Sequence, residues 1–199
     1  TGEEVLSAED QATAVATITF AISHLNLWIT DYYEPIRALM PSLPEVIPTA
    51  ENPVRPADEP LKMLTLRLVD KFLAGSPFDQ IEAHPAAADF PGTVAQGTPL
   101  TEVSLELDAS YEGRSSKYNA SGAGQPVRLS TGAYALPGQT FTVTVPERAA
   151  GEGLTIQIGA HSDRLWNKES IERFPQIIRR YPVNNAVIQA TSAFGGSIY

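Results

Sequence analysis

Up to about residue 90 the apolar side chains of this chain recur every three or four positions; beyond Gly92 they recur every second position. That change of period constrains the fold more than any other feature. A helix buries a stripe spaced near 3.6 residues and a half-buried strand buries alternate residues, so one chain that does both predicts an α+β protein.

Ser7 to about Met40 reads as helical, with Ser7 as N-cap and Asp10 three residues on complementing the exposed amides. Val15, Ile18, Ile22, Leu25 and Ile29 form an apolar stripe, widened by Phe20, Trp28, Tyr32 and Tyr33. Pro41, Pro44, Pro48, Pro53, Pro56 and Pro60 then turn 41–60 into an extended, proline-rich connector that acts as a rigid spacer. Asp58 is the expected cap of a second helix carrying Leu61, Leu64, Leu68 and Phe72 and ending at Gly75, with a third, short helix from Ser76-Pro77 to about Ala83.

After Gly92, Val103, Leu105 and Leu107 alternate with Ser104, Glu106 and Asp108, which predicts a half-buried strand. Tyr111 to Gln125 reads as a loop. Further strands are predicted at 141–145, 154–158, 187–188 and 197–199, with turns at Pro137-Gly138 and Gly151–Gly153. The expected architecture is therefore a helical unit over 1–92 followed by an antiparallel β-sandwich, jelly-roll-like, over 93–199.

Composition narrows the function classes. The net charge is −9, all of it carried by residues 1–92, while 93–199 is balanced. Nucleic acid and anionic lipid both require a cationic surface, so neither is an expected partner. The basic residues Arg164, Lys168, Arg173, Arg179 and Arg180 are diluted by Glu169 and Glu172 and read as a solvated face. Without cysteine there are no disulfides or thiolate metal sites. No apolar run approaches the roughly 18 residues needed to span a bilayer. The chain begins at Thr1 rather than Met, the expectation for a processed or excised piece.

Direct catalysis is hard to assemble from these residues. The histidines are His24, His84 and His161, and none has the helical-turn partner of an HExxH zinc site. His24 reads as packed in its helix, and His84, near Glu82 and Asp89, as a surface residue. Ser130 and Ser162 lack a Gly-x-Ser-x-Gly elbow. Glu102, Glu106 and Asp108 read as the charged face of a strand, and Asn119-Ala-Ser121 fits a glycosylation sequon. The loop His161-Ser-Asp163-Arg164-Leu-Trp166-Asn167 brings together an imidazole, a carboxylate, a guanidinium, an indole and an amide, parts suited to a sugar. The same parts serve a structural loop in which Asp163 bridges amides, His161 pins the loop and Trp166 caps the core. In Phe194-Gly195-Gly196-Ser197-Ile-Tyr199 the paired glycines admit the close approach of another backbone, as a bulge or tight contact.

Five ordered pieces, Ser130-Thr-Gly-Ala-Tyr134-Ala-Leu-Pro-Gly138, Ile158-Gly-Ala-His161-Ser-Asp163, Leu165-Trp-Asn-Lys168, Arg173-Phe-Pro175 and Phe194-Gly-Gly-Ser-Ile-Tyr199, resemble the front part of the enhancin-like, mucin-directed zinc metallopeptidases. The resemblance covers about 126–199. It implies a non-catalytic N-terminal portion of a secreted or cell-surface, bacterial endopeptidase that attacks O-glycosylated proteins in virulence. It also implies a C-terminal catalytic domain as partner and zinc as cofactor of that domain, none of it bound by this chain. Gly195, Gly196 and Ser197 become candidates for an edge that helps form the substrate groove. A stand-alone carbohydrate- or protein-binding module without enzymatic activity is the alternative.

Overall fold

The computed structural model describes residues 7–24, 38, 45–95, 97–109 and 127–199. The stretch between the first helix and the connector, the predicted 111–125 loop and the sequon lie outside them. Helix α1 spans Ala8–His24. Ser7 caps it as expected: the Asp10 amide donates to Ser7 Oγ at 3.2 Å, and the Ser7 hydroxyl donates back to Asp10 Oδ2 at 2.6 Å. The predicted stripe is less well covered, since Ile18 and Phe20 are exposed; the side chains of Ile22 and His24 lie outside the described set.

Helix α2 spans Pro60–Gly75 and lies alongside α1. Proline sits at the first helical position, where its missing N–H costs nothing, and this makes Glu59 the cap in place of Asp58. The Glu59 carboxylate does not close the helix itself; it accepts from the Arg55 amide at 3.1 Å and pairs with Lys62. The Ser76 hydroxyl and amide both donate to the Phe72 carbonyl, at 2.9 and 2.8 Å, and stop the helix after Gly75. Met63, Leu64, Leu66, Leu68 and Phe72 are buried, but Leu61 is 55% exposed. A 3.6-residue stripe includes Leu61 by spacing alone, whereas the turn it belongs to buries Met63. In place of a third helix, two 3₁₀ turns follow, Phe78–Gln80 and Pro85–Ala88. Pro77 precedes the first turn and Pro85 opens the second, where its fixed φ suits the start of a helical turn.

The described part of the connector is no spacer. Val46, Pro48 and Val54 are buried, and Val54 and Ile171 exchange both backbone hydrogen bonds at 2.9 Å. The segment is extended because proline leaves it little else, and an extended segment can pair.

Among the described residues six strands follow: β1 Tyr134–Ala135, β2 Phe141–Thr144, β3 Thr155–Ile158, β4 Arg179–Pro182, β5 Val187–Ala190 and β6 Gly196–Ser197. They pair antiparallel as β1 with β6, β2 with β5 and β3 with β4, with Val143 opposite Ile188 and Ile156 opposite Tyr181. The predicted strand at 103–107 is absent: 101–109 is exposed and outside any strand, because its alternation supplies an apolar face but nothing among the described residues pairs with it. Strand β4, Arg-Arg-Tyr-Pro, was hidden from a pattern search by its charges.

One core joins the two kinds of structure. Val46, Val54, Met63, Leu66, Ile81, Ala86 and Ala87 pack with Ile171, Phe174, Ile177, Ala193 and Phe194. At its centre the Phe174 and Phe194 ring centroids lie 4.7 Å apart, with the His84 ring 5.0 and 5.1 Å from them. His84 is thus not the surface residue its neighbours suggested. Its amide donates to the Ala193 carbonyl at 2.8 Å, and its Nδ1 accepts from the Ala86 amide at 3.1 Å, capping the second 3₁₀ turn.

Leu66→Ala should cost about 3–5 kcal/mol in unfolding free energy, whereas Leu61→Ala should stay within about 0.5 kcal/mol; urea titration of both variants checks the burial assigned to α2. The pH dependence tests His84. Burial pushes its pKa down from 6.5 to about 4, so below about 6.5 the unfolded chain takes up a proton that the folded chain refuses. Stability is then full above that pH and declines toward pH 4 with a limiting slope of about 1.4 kcal/mol per pH unit. In urea titrations across pH, the difference between wild type and His84→Phe should be flat above pH 7 and slope below it. A difference independent of pH would show that the ring is not held neutral.

Candidate functional site

The loop after β3 places the residues singled out in the sequence on one surface but gives them different tasks. His161, Asp163, Arg164 and Asn167 are exposed, and Trp166 is half-buried. Two backbone bonds shape the loop: the Leu165 amide donates to the Pro175 carbonyl at 3.1 Å, and the Lys168 amide to the Leu165 carbonyl at 3.0 Å. The His161 ring meets the edge of Phe90 at 4.7 Å. Asp163 pairs with Arg173, whose guanidinium lies 4.9 Å over the Phe90 ring and also donates to the Phe174 carbonyl at 2.9 Å. Asp163 therefore holds an arginine rather than bridging amides, and His161 pins the loop to Phe90.

Trp166 packs against the core and is covered by the Arg67 guanidinium, 4.8 Å from its ring. This is the capping role, with the indole face occupied from α2. Arg164 contributes to the field around Asp70 of α2. Burial pushes that carboxyl above its usual range, and Arg179, Lys71, Arg164 and Arg67 pull against the shift. Asp70 Oδ1 and Arg179 Nη2 are buried without hydrogen-bond partners.

Beside Arg173 lies a cleft of about 380 Å³ lined by Ala50, Asp89, Phe90, Leu165, Glu172 and Arg173. The lining sets two carboxylates, a guanidinium and an aromatic ring around one opening, polar and apolar groups of the kind that orient a ligand. Sequence reasoning reached Asp163 and His161 but missed Phe90, which holds them together. A phenylalanine before proline carries no signal of its own.

The Gly195-Gly196-Ser197 strand is an interior feature. Gly196 pairs with Ala135 and Ser197 with Tyr134 on one flank. On the other, the Gly159 amide donates to the Ser197 carbonyl at 2.9 Å, and Gln157 and Tyr199 exchange bonds of 2.9 and 2.8 Å. Gly195 has φ +64° and Gly196 φ +126°, and a Cβ on Gly195 would lie 2.5 Å from the Ala135 carbonyl oxygen and 2.8 Å from Pro137 N. On Gly196 it would lie 2.9 Å from Gly159 Cα. The close approach that two glycines imply is to β1 and to the end of β3. Gly195→Ala should therefore cost more than about 2 kcal/mol, measured by urea unfolding. Full stability in that variant would free the pair for another role.

A zebrafish (Danio rerio) TRPM8 channel-associated factor homolog is 30% identical over 71 residues, 36% of this chain and 8% of that protein. Human TRPM8 channel-associated factor 2 is 34% identical over 71 residues, with the same shares. Human TRPM8 channel-associated factor 1 is 39% identical over 72 residues, again 36% of this chain and 8% of that one. The matched stretch thus spans under a tenth of the length of these relatives. No solved structure matches. Residues 120–199, which hold the loop, all six described strands and the glycine pair, are similar to the N-terminal domain of M60-like peptidases.

Proposed function

We propose that this chain is the non-catalytic front portion of an M60-like zinc metalloendopeptidase that acts on O-glycosylated, mucin-type proteins outside a bacterial cell. The observation that carries this reading is the match of residues 120–199 to the N-terminal domain of M60-like peptidases. In this reading the paired ribbons belong to a jelly-roll-like sandwich, and the chain scaffolds a catalytic domain of the same polypeptide. Among the described residues no three His, Cys, Asp or Glu gather as a metal-binding group. The reading assigns the zinc chemistry to the catalytic domain. What these residues do is hold shape: Gly195 and Gly196 let β6 sit between β1 and β3, and Asp163, Arg173 and Phe90 fix the wall of the cleft.

A second reading, a carbohydrate- or protein-binding module without enzymatic activity, is favoured by the cleft at Phe90 and Arg173. The vertebrate relatives are by name channel-associated factors, which fits a protein-binding role for the shared stretch.

The parent polypeptide incubated with a mucin-type glycoprotein separates the two. Cleavage that stops on adding a chelator, and falls about tenfold or more on a deglycosylated substrate, is the expected result. Retention of the glycoprotein by the 199-residue chain, with no cleavage by the parent, would assign the module instead.

A further inference from the structure

Leu100, Val103, Leu105 and Leu107 are 64%, 57%, 50% and 46% exposed, a run of large apolar side chains at the surface. Residues 99–107 form none of the backbone hydrogen bonds found among the described residues, although their alternation is that of a strand. Among the described residues these amides and carbonyls have no backbone partner, and such a backbone beside an apolar face makes a template for strand addition.

The polar positions say what kind of strand fits. Glu102 and Glu106 alternate with Val103, Leu105 and Leu107, while Leu100 falls on the glutamates' side of the alternation. Antiparallel pairing with a second copy centred on Ser104 would set Glu102 opposite Glu106 twice; centred on Leu105, it would set Glu102 opposite Asp108. Parallel pairing in register would set each glutamate against itself. Like charges directly opposite destabilise a ladder, whereas opposite charges support it.

We propose that residues 100–107 are a docking strand that adds to the exposed sheet edge of a partner polypeptide carrying lysine or arginine opposite Glu102 and Glu106. The apolar residues pack on the partner's sheet, and the glutamates fix its register. This surface is separate from the cleft and from the glycine strand, and it does not depend on the peptidase reading.

Amide hydrogen exchange on the full 199-residue chain tests it, with a short synthetic peptide of alternating valine and lysine as probe. The expected result is about tenfold slower exchange at 100–107 with saturating peptide. A peptide of the same composition in block order, or one alternating valine and glutamate, should have little effect. Leu105→Pro, which removes a backbone donor, should abolish the slowing and leave the thermal midpoint unchanged, because the segment lies outside the core. Slow exchange in the free chain would overturn the proposal by showing the segment already covered. Exchange that slows with protein concentration would overturn it in favour of a second copy, and an equal response to the block peptide or none at all would overturn it outright.

Discussion

The contact on which the rest of this structure depends is the aromatic seam of His84, Phe174 and Phe194. His84 belongs to the segment after α2, Phe174 to the stretch before β4, and Phe194 to the approach to β6. Three separate parts of the chain meet within ring contacts of 4.7 to 5.1 Å. The bond from the His84 amide to the Ala193 carbonyl fixes the register of that meeting. Burial of the His84 ring disfavours its charged form and lowers its pKa. Displacing the 81–87 segment would uncover Phe174 and Phe194 together, both now almost without solvent contact. Both the helical region and the strands lean on this seam.

Around it, glycines set how closely the backbones approach. At Gly195 and Gly196 two positive-φ residues let the chain turn beneath Ala135 and Pro137 and then lie against Gly159. Gly138 does the same just beyond that end of β1: its amide donates to the Ser192 carbonyl at 2.8 Å, and a Cβ there would strike the backbone at Glu82 and Ala83. The Pro-Gly turn, the Gly-Gly step and the His84 segment are thus one joint, since Ser192, Ala193 and Gly195 are bonded or pressed to all three. Two of the five motif pieces, 130–138 and 194–199, meet at this joint.

Much of the architecture was legible because period and punctuation are local signals. Ser7 and Asp10 announce the start of α1, Pro60 and Gly75 bracket α2, and 141–144, 155–158 and 187–190 alternate as strands do. What the sequence hid depends on distant partners. The 103–107 segment has the pattern of a strand but no neighbour among the described residues, while β4 has a neighbour but no pattern. Asp58 lost the cap to Glu59 because a proline one position later decides where a helix begins. At the candidate site, Asp163 and His161 were visible as chemistry in one loop. Their partners Phe90 and Arg173 were not, because the contact between residues 90 and 161 is made by the fold and leaves no mark in spacing.

Charge plays a smaller part in holding this fold than its distribution suggests. Asp70 and Arg179 face one another across α2 and β4, yet each keeps a buried atom without a hydrogen-bond partner, and burial shifts both toward their neutral forms. Their mutual attraction runs against that shift and does not reverse it. A pair in this condition repays its desolvation poorly, so α2 is stabilised on the strands by Met63, Leu66 and the residues packed around them. The exposed Lys62–Glu59 pair adds little more, being screened by solvent. What buried charge contributes is selectivity of seating, because a shift of α2 that separated Asp70 from Arg179 would remove the largest opposing charge acting on Asp70. Apolar burial supplies the free energy of this interface, and the charges restrict where it can form.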